Sequence, residues 1–546
     1  MIKKVGHKAV LIYPKFDSQD TFWSYSKSLQ MYAPLSEYGL PKRLLPPLGL
    51  MGLFNHLKPF YDELCLIDRN INPQSISELI AGADHIFMGG MLAQENNLLS
   101  DALEVKKAGK VLIVGGTAVT PESPLLAVAD HLVENEAEGV IDELLQGLKA
   151  GSAKKYYKGD FVQPEQFFQP DYSAINPHNY VHMAVQISRG CPERCEFCDI
   201  PIRFGKAYRV TPWEKTAASF RQMKQLGWTG QVFIVDDNFI ANPRKALTVL
   251  KNLHKIGEEI GYHHPKYTEL TLRLADQSPI MADLRGWFRK ANFINGFYGV
   301  ETPNIASLLE TNKQQNLRGE RSLVEKLQFI SEQTGAGVMM GMIYGFDHDT
   351  NESVDEFIEF VNATNAPIVM AGLLNALPCT PLMSRLKTEK RITQATSGNN
   401  SDGIINFIPN NFSAQQAELN YLRILHAIYH PQAYFDRVMR HLQLIDPELQ
   451  SNYRAGSQSV TYLVKILLKK NASIYWRFLP NAIQIAKTRC GFNTPGFMAI
   501  LAEYLSLCGQ YTHFRNQITV QQKNIKQRDY QDWQRISWRE MQQAME

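Results

Sequence analysis

A chain of 546 residues holds about three or four structural units at roughly 150 residues each, which excludes a lone small binding module. Hydrophobic residues at 44% and charged residues at 20% can fill a sizeable core, so the chain is neither disordered nor collagenous. Lys plus Arg (57) against Asp plus Glu (54) leaves a net charge of only +3, too even for a phosphate-backbone binder, and no nucleic-acid partner is expected.

The basic N-terminus runs into a short apolar stretch at 9–13 that lacks the length and cleavage site of a signal peptide. Short apolar or β-branched runs then alternate with helical spacing, predicting strands at 9–13, 63–68, 85–89, 110–114 and 131–134 and helices at 48–57, 75–81 and 100–108. This is an α/β, doubly wound, Rossmann-like pattern over 1–150, with ligands expected at the carboxyl ends of its strands. Residues 151–180, rich in Tyr, Phe, Gln and Pro, read as a connector. A second series over 181–400 predicts strands at 185–188, 231–235, 267–272, 296–300, 337–344 and 368–374, spaced for crossover helices. Six such units predict a partial (β/α)6 barrel with its chemistry at the strand carboxyl ends. The remainder, 401–546, reads as a helical region. The longest uncharged stretch, 360–384, is broken by Asn and Pro and is not the ~20-residue apolar span of a membrane helix.

Seven cysteines are too few and too unevenly spread for a disulfide framework, which predicts a reducing, cytoplasmic setting. Three of them, Cys191, Cys195 and Cys198, fall in Gln186-Ile-Ser-Arg-Gly-Cys-Pro-Glu-Arg-Cys-Glu-Phe-Cys-Asp199, just past the first barrel strand. Three thiolates at CxxxCxxC spacing can converge on one soft metal centre and leave a fourth position open, as a reactive 4Fe–4S cluster requires. A structural zinc site would want a fourth Cys or His nearby. The alternative is three buried or zinc-binding cysteines without chemistry.

With its aromatic Phe197 before the last cysteine, this segment resembles the radical S-adenosylmethionine superfamily. The resemblance implies that Cys191, Cys195 and Cys198 bind the cluster and that its open iron takes the amino and carboxylate groups of S-adenosylmethionine. One-electron reduction would then yield methionine and a deoxyadenosyl radical. It further implies cofactor contacts from Asp236, Asp237 and Asn238 in Phe233-Ile-Val-Asp-Asp-Asn-Phe239, from Glu269 and Thr271 at the third strand end, from Glu301 at the fourth, and from Met342 beside the adenine. For each carboxylate the bland reading is a helix N-cap or a rim salt bridge.

In the first unit, Leu66-Ile-Asp-Arg-Asn70, Met88-Gly-Gly-Met-Leu-Ala-Gln94 and Val114-Gly-Gly-Thr117 place glycine pairs after strands, where backbone can approach a flat ligand closely. Preceding such a barrel, they resemble the cobalamin-binding domain of class B radical S-adenosylmethionine proteins. Asp68, Asn70, Met91, Gln94, Gly115, Gly116 and Thr117 are the contacts this implies. The DxHxxG motif is missing, which implies cobalamin without a protein imidazole on cobalt, and His85 and His131 read as fold residues.

The wider resemblance takes in Pro46-Pro-Leu-Gly49, Lys313-Gln-Gln-Asn316 and Asn406-Phe-Ile-Pro409, and is to the subgroup with a DUF4070-type C-terminal region that includes hopanoid 2-methylases. This chain departs from it at Cys379, where relatives carry Gly; at Asn135-Glu136, where they carry Gly-Glu; and at Thr271 and Arg273, where they carry Ser and Asn. Cys379 reads as a packed small residue or as a reactive thiol.

The family implies a cobalamin-dependent methyltransferase acting on an unactivated carbon of a hydrophobic or lipid-like substrate, fed by a reductase, flavodoxin or ferredoxin electron donor. Basic and bulky apolar residues alternate at 462–470 and 475–478, which fits a peripheral membrane contact or a core helix with snorkelling lysines. The rival readings are a radical cyclase or oxidoreductase without methyl transfer, and a non-catalytic iron–sulfur binding or sensing protein.

Overall fold

The computed structural model describes residues 4–16, 43–72, 74–449 and 473–526; the segment 462–470 lies outside them. The first sheet is fully parallel: β1 (Lys8–Tyr13), β2 (Glu63–Asp68), β3 (His85–Gly89), β4 (Val111–Gly115), β5 (His131–Glu134) and β6 (Tyr156–Lys158) stand in the order β2-β1-β3-β4-β5-β6. Strand β1 shows why its sequence is a continuous apolar run. Val10 and Ile12 enter one core with Ile86, Met88 and Val114, while Ala9 and Leu11 enter the other with Phe87, Ile113 and Val133. A strand covered on both faces has no polar side to alternate with.

The sixth strand was not foreseen. Its three residues fall inside the presumed connector and carry Tyr and Lys rather than a β-branched run, so the sheet reaches eight residues past the boundary set at 150.

The second sheet is also parallel and runs in simple chain order from β7 (Met183–Val185) through β10 (Val232–Ile234), β11 (Lys266–Leu270), β12 (Phe293–Glu301) and β13 (Gly337–Tyr344) to β14 (Ile368–Leu373). The intervening β8 (Ser188–Arg189) and β9 (Arg209–Val210) form a separate antiparallel pair. The sheet does not close, so β7 and β14 each leave an edge that must be satisfied otherwise. Tyr172 in the connector donates to the Ala184 carbonyl at 2.6 Å. On the opposite edge, Tyr429 accepts from Val369 N at 3.2 Å and donates to its carbonyl at 2.6 Å, and Tyr421 donates to the Ala371 carbonyl at 3.0 Å. The helical region thus begins as an edge cover for the barrel, with Ala414–Ile428 against β14.

Helices Pro431–Leu444, Ser473–Cys490 and Pro495–Lys526 stack behind it around Tyr434, Phe435, Phe478 and Tyr504. In the second of these Tyr475 and Phe478 are buried, while Trp476 is 51% exposed. No helix among the described residues is long and apolar enough to cross a membrane.

Candidate active site: a cysteine triplet between two cavities

Strand β7 delivers the chain to the cysteines through the small β8–β9 pair, and Gly190 makes the turn with φ at +88°. A Cβ there would stand 2.4 Å from the Ala207 carbonyl oxygen, so only glycine fits. Beyond it the loop is clamped from outside: Glu196 N donates to Thr311 O at 3.0 Å, and the Glu196 carboxylate takes both Nε (2.7 Å) and Nη2 (3.1 Å) of Arg385.

All three cysteines are unpaired and line one cavity of about 230 Å³ at the carboxyl ends of the barrel strands. Asn238 Nδ2 lies 3.9 Å from Cys191 Sγ, and Gln315 Nε2 lies 3.7 Å from Cys195 Sγ. Burial raises all three thiols above the usual range, and Lys313 partly opposes this at Cys195 and Cys198.

Phe197, Asp237, Asn238, Glu269, Thr271, Glu301 and Met342 line the same cavity, as do Lys313, Gln315 and Asn400. Glu301 arrives there through an irregularity. The β12–β13 register shifts between Gly299 and Glu301, and Glu301 takes φ +69°. Such a bulge re-aims a side chain, and Asn316 holds it by donating to the carbonyls of Gly299 (2.9 Å) and Val300 (3.0 Å). The re-aimed carboxylate meets Lys313 Nζ at 2.6 Å. Burial alone depresses Lys313, but Glu301 and the thiols more than reverse it, so the ammonium is held charged. The segment Lys313–Asn316, noted in the sequence only as a resemblance, therefore supplies an ion pair, a sulfur-facing amide and a bulge anchor.

Glu269 is exposed and lines the cavity. Loss of bulk water, then Asp237 and Glu301, push it up to about 8, while burial pushes Asp237 up to about 6 against a 3.0 Å hydrogen bond from Gly190 N.

Asp236 does not face the cavity. Its Oδ1 accepts from Ile187 N (2.8 Å) and Ser188 N (2.9 Å), and its Oδ2 from Ser188 Oγ (2.6 Å), so it anchors the start of the cysteine loop. Burial pushes it up to about 7. The folded state therefore holds this proton between about pH 4 and 7 while the unfolded chain releases it, and stability falls as pH rises through that window. Asp236→Asn keeps both backbone bonds and flattens this part of the urea-midpoint-versus-pH profile. Asp236→Ala orphans two buried N–H groups and costs about 3 kcal/mol.

A second cavity, of about 650 Å³, lies between the first sheet and the barrel. Met91, Gly115, Gly116 and Thr117 line it, together with Gly89 and Gly90. The two glycine pairs touch: a Cβ on Gly116 (φ +90°) would stand 2.6 Å from Gly90 O. Asp68, Asn70 and Gln94 do not line it. Asn70 Oδ1 accepts from Phe16 N at 2.9 Å, its Nδ2 donates to Asp68 Oδ1 at 2.7 Å, and Gln94 Nε2 donates to Pro14 O at 2.7 Å. These three side chains fix the loop after β1, a role that strand-end position alone did not distinguish from ligand contact. His85 bonds Tyr61, and His131 bonds the Lys154 carbonyl; neither lines the cavity.

Two of the departures from the family pattern noted in the sequence, Asn135 and Cys379, have a backbone setting that suits glycine. Asn135 has φ +64° and Cys379 φ +67°, the left-handed region that favours glycine and, next, asparagine. Cys379 is exposed, contrary to the packed-residue reading, and lines neither cavity. Cys379→Gly is expected to raise the unfolding free energy by up to about 1 kcal/mol, measured by urea titration, with iron content unchanged.

Sequence reasoning missed the charged seam joining the two units. Glu136, on the loop after β5, takes Arg209 through Nη1 (2.8 Å) and Nη2 (2.6 Å), while Arg189 pairs with Glu138 at 2.8 Å and stacks on Phe167. Glu136 was noted only beside a glycine substitution, and nothing in its local pattern names a partner 73 residues away.

Residues 380–527 match a family model described as a domain of unknown function, DUF4070. The chain is 32% identical over 537 residues to an uncharacterized methyltransferase of Synechocystis sp., covering 96% of this chain and 94% of that one. It is 27% identical to the hopanoid C-2 methylase of Rhodopseudomonas palustris, covering 71% and 72%. In fold it is similar to the cobalamin-dependent S-adenosylmethionine radical enzyme OxsB with aqua-cobalamin bound, at TM-score 0.58, 14% identity, and coverage of 95% and 80%. The chain belongs to the class B, cobalamin-binding-domain radical S-adenosylmethionine family with a DUF4070 C-terminal region.

Proposed function

We propose that this chain is a cobalamin-dependent radical S-adenosylmethionine methyltransferase acting on an unactivated carbon of a hydrophobic, lipid-like substrate. The observation that carries the reading is the junction of the two cavities: Ile200 and Asp237 line both, so a ligand against the first sheet and one at the cysteines meet across a single side-chain layer.

The residues present fit the groups this requires. Three unbonded thiols form a soft donor set for a 4Fe–4S cluster held by Cys191, Cys195 and Cys198, with amide N–H groups of Asn238 and Gln315 near two sulfurs. The glycine pairs 89–90 and 115–116, packed closely on Leu50, Pro14 and one another, line the larger cavity with Met91 and Thr117, and this lining would hold cobalamin. When bound, these groups and S-adenosylmethionine supply one-electron activation of a C–H bond and a transferable methyl group.

The protein's own part is positioning and exclusion of water. Lys313 pairs with Glu301 beside the cysteines, where a carboxylate suits ribose hydroxyls or an ammonium group. Glu269, pushed upward from the usual carboxylate range, is placed on the same cavity to contact the cofactor. The apolar wall of the larger cavity, including Leu48, Leu50, Leu53 and Phe87, suits a hydrophobic ligand. A lipid-like substrate is also favoured by the named substrate class of the hopanoid relative. A reductase, flavodoxin or ferredoxin would deliver the electron, and a peripheral membrane contact would let such a substrate enter.

The test is anaerobic reconstitution with iron, sulfide and cobalamin, followed by incubation with methyl-deuterated S-adenosylmethionine and a lipid extract. Deuterated methyl in an apolar product supports the reading. Deoxyadenosine release without methylated product would replace it with a radical cyclase or oxidoreductase.

A further inference from the structure

A second group of metal-binding side chains sits on the opposite end of the barrel from the cysteines. We propose that His254, Glu258 and His263 bind a borderline divalent cation, zinc above all, at the amino-terminal ends of the strands.

The local sequence builds the site in two steps. His254 and Glu258 are four residues apart on the helix Pro243–Ile260 and so share a face. Gly261, at φ +67°, ends that helix and turns the chain back, which returns His263 over the last turn before β11 begins at Lys266. One ligand atom from each of the three residues lies within 4.8 Å of the others.

Three details favour a metal over a chance cluster. His254 Nδ1 lies 3.0 Å from the Lys290 carbonyl, which takes its proton and leaves Nε2 bare; metal-bound histidines are oriented in this way. His263 Nε2 lies 2.6 Å from Glu258 Oε1, a contact that holds a proton in the metal-free chain and that a cation would replace. Finally, the helix keeps a glycine at 257, a poor interior residue, where a Cβ would stand 2.3 Å from His263 Nδ1. The glycine clears the space in which the imidazole lies.

Two imidazoles and one carboxylate are zinc donors, with water free to complete the shell. Bound there, the ion ties the helix end to the lead-in of β11, the strand whose far end carries Glu269. The site uses no thiol and stands apart from the cysteine cavity, so it does not depend on the proposed reaction.

Zinc titration of the cluster-loaded full chain by calorimetry, with metal counting after gel filtration, tests the assignment. About one zinc per chain is expected, weakened at least about tenfold in His254→Ala and His263→Ala. Glu258→Gln alters an exposed side chain, so its loss of affinity is not a folding effect. Gly257→Ala keeps all three ligands and improves the helix, yet is expected to weaken zinc by displacing the His263 ring. Unchanged affinity in His263→Ala and Glu258→Gln, zinc lost instead in Cys195→Ala, or no zinc at micromolar concentration would overturn the proposal.

Discussion

Cys195→Ala, reconstituted without oxygen, is expected to hold almost no iron and to release deoxyadenosine at a rate lower by roughly a thousandfold or more, equivalent to about 4 kcal/mol in the barrier. Of the three, Cys195 is the buried residue, and its sulfur faces the Gln315 amide at 3.7 Å. A site with only three thiols would have none to spare for a cluster that must also take the cofactor, so loss of one would leave too few protein ligands to hold it. Alanine removes the sulfur without adding bulk, and Glu196 still anchors the loop to Arg385 and Thr311. Cobalamin affinity, read from the visible spectrum, should be unchanged because the larger cavity proposed to hold it lies across Ile200 and Asp237. Full iron content in the variant would remove the cysteines from the cluster assignment.

The largest expected loss of stability comes from Glu136→Ala. This carboxylate is almost wholly buried and takes two N–H groups of Arg209 together with Val162 N at 2.8 Å, while Arg189 lies 3.6 Å away. Its removal leaves the buried Arg209 guanidinium without its carboxylate and the half-buried Arg189 with Glu138 and Asp237, a change of about 3–5 kcal/mol. The double variant Glu136→Ala, Arg209→Met should recover part of the loss, because the orphaned charge goes with its partner. Urea midpoints of the two single variants and the double variant measure the coupling. Since Arg189 stands two residues before Cys191, Glu136→Ala should also weaken cluster retention in proportion. A loss below about 1 kcal/mol would mean that water replaces the carboxylate and that the seam is not a clamp.

Much of the fold was legible because apolar periodicity survives burial. Central strands such as β1 are continuous apolar runs, others keep enough apolar and β-branched residues to read as strands, and all five predicted strands of the first sheet and all six of the barrel appear within a few residues of their expected bounds. What escaped had no such run: β6 is Tyr156–Lys158, and the β8–β9 pair has two residues a side. At the site, strand-end position brought Asp237, Asn238, Glu269, Thr271 and Glu301 to one cavity. The same reasoning misplaced Asp236, Asp68, Asn70 and Gln94. A polar residue at a strand end either faces a ligand or satisfies the backbone of a neighbouring loop, and the choice depends on which N–H groups that loop leaves unpaired.

The sequence by itself determined the two parallel sheets, the helical close and the convergence of three thiols, since each follows from local spacing along the chain. Only the tertiary structure decided that the two units share the Ile200–Asp237 wall, that a bulge turns Glu301 onto Lys313, and that Glu136 binds Arg209 across the seam. Charge pairing over long sequence separation leaves no periodic trace. It depends on which surfaces meet, and that is settled by packing after the elements have formed.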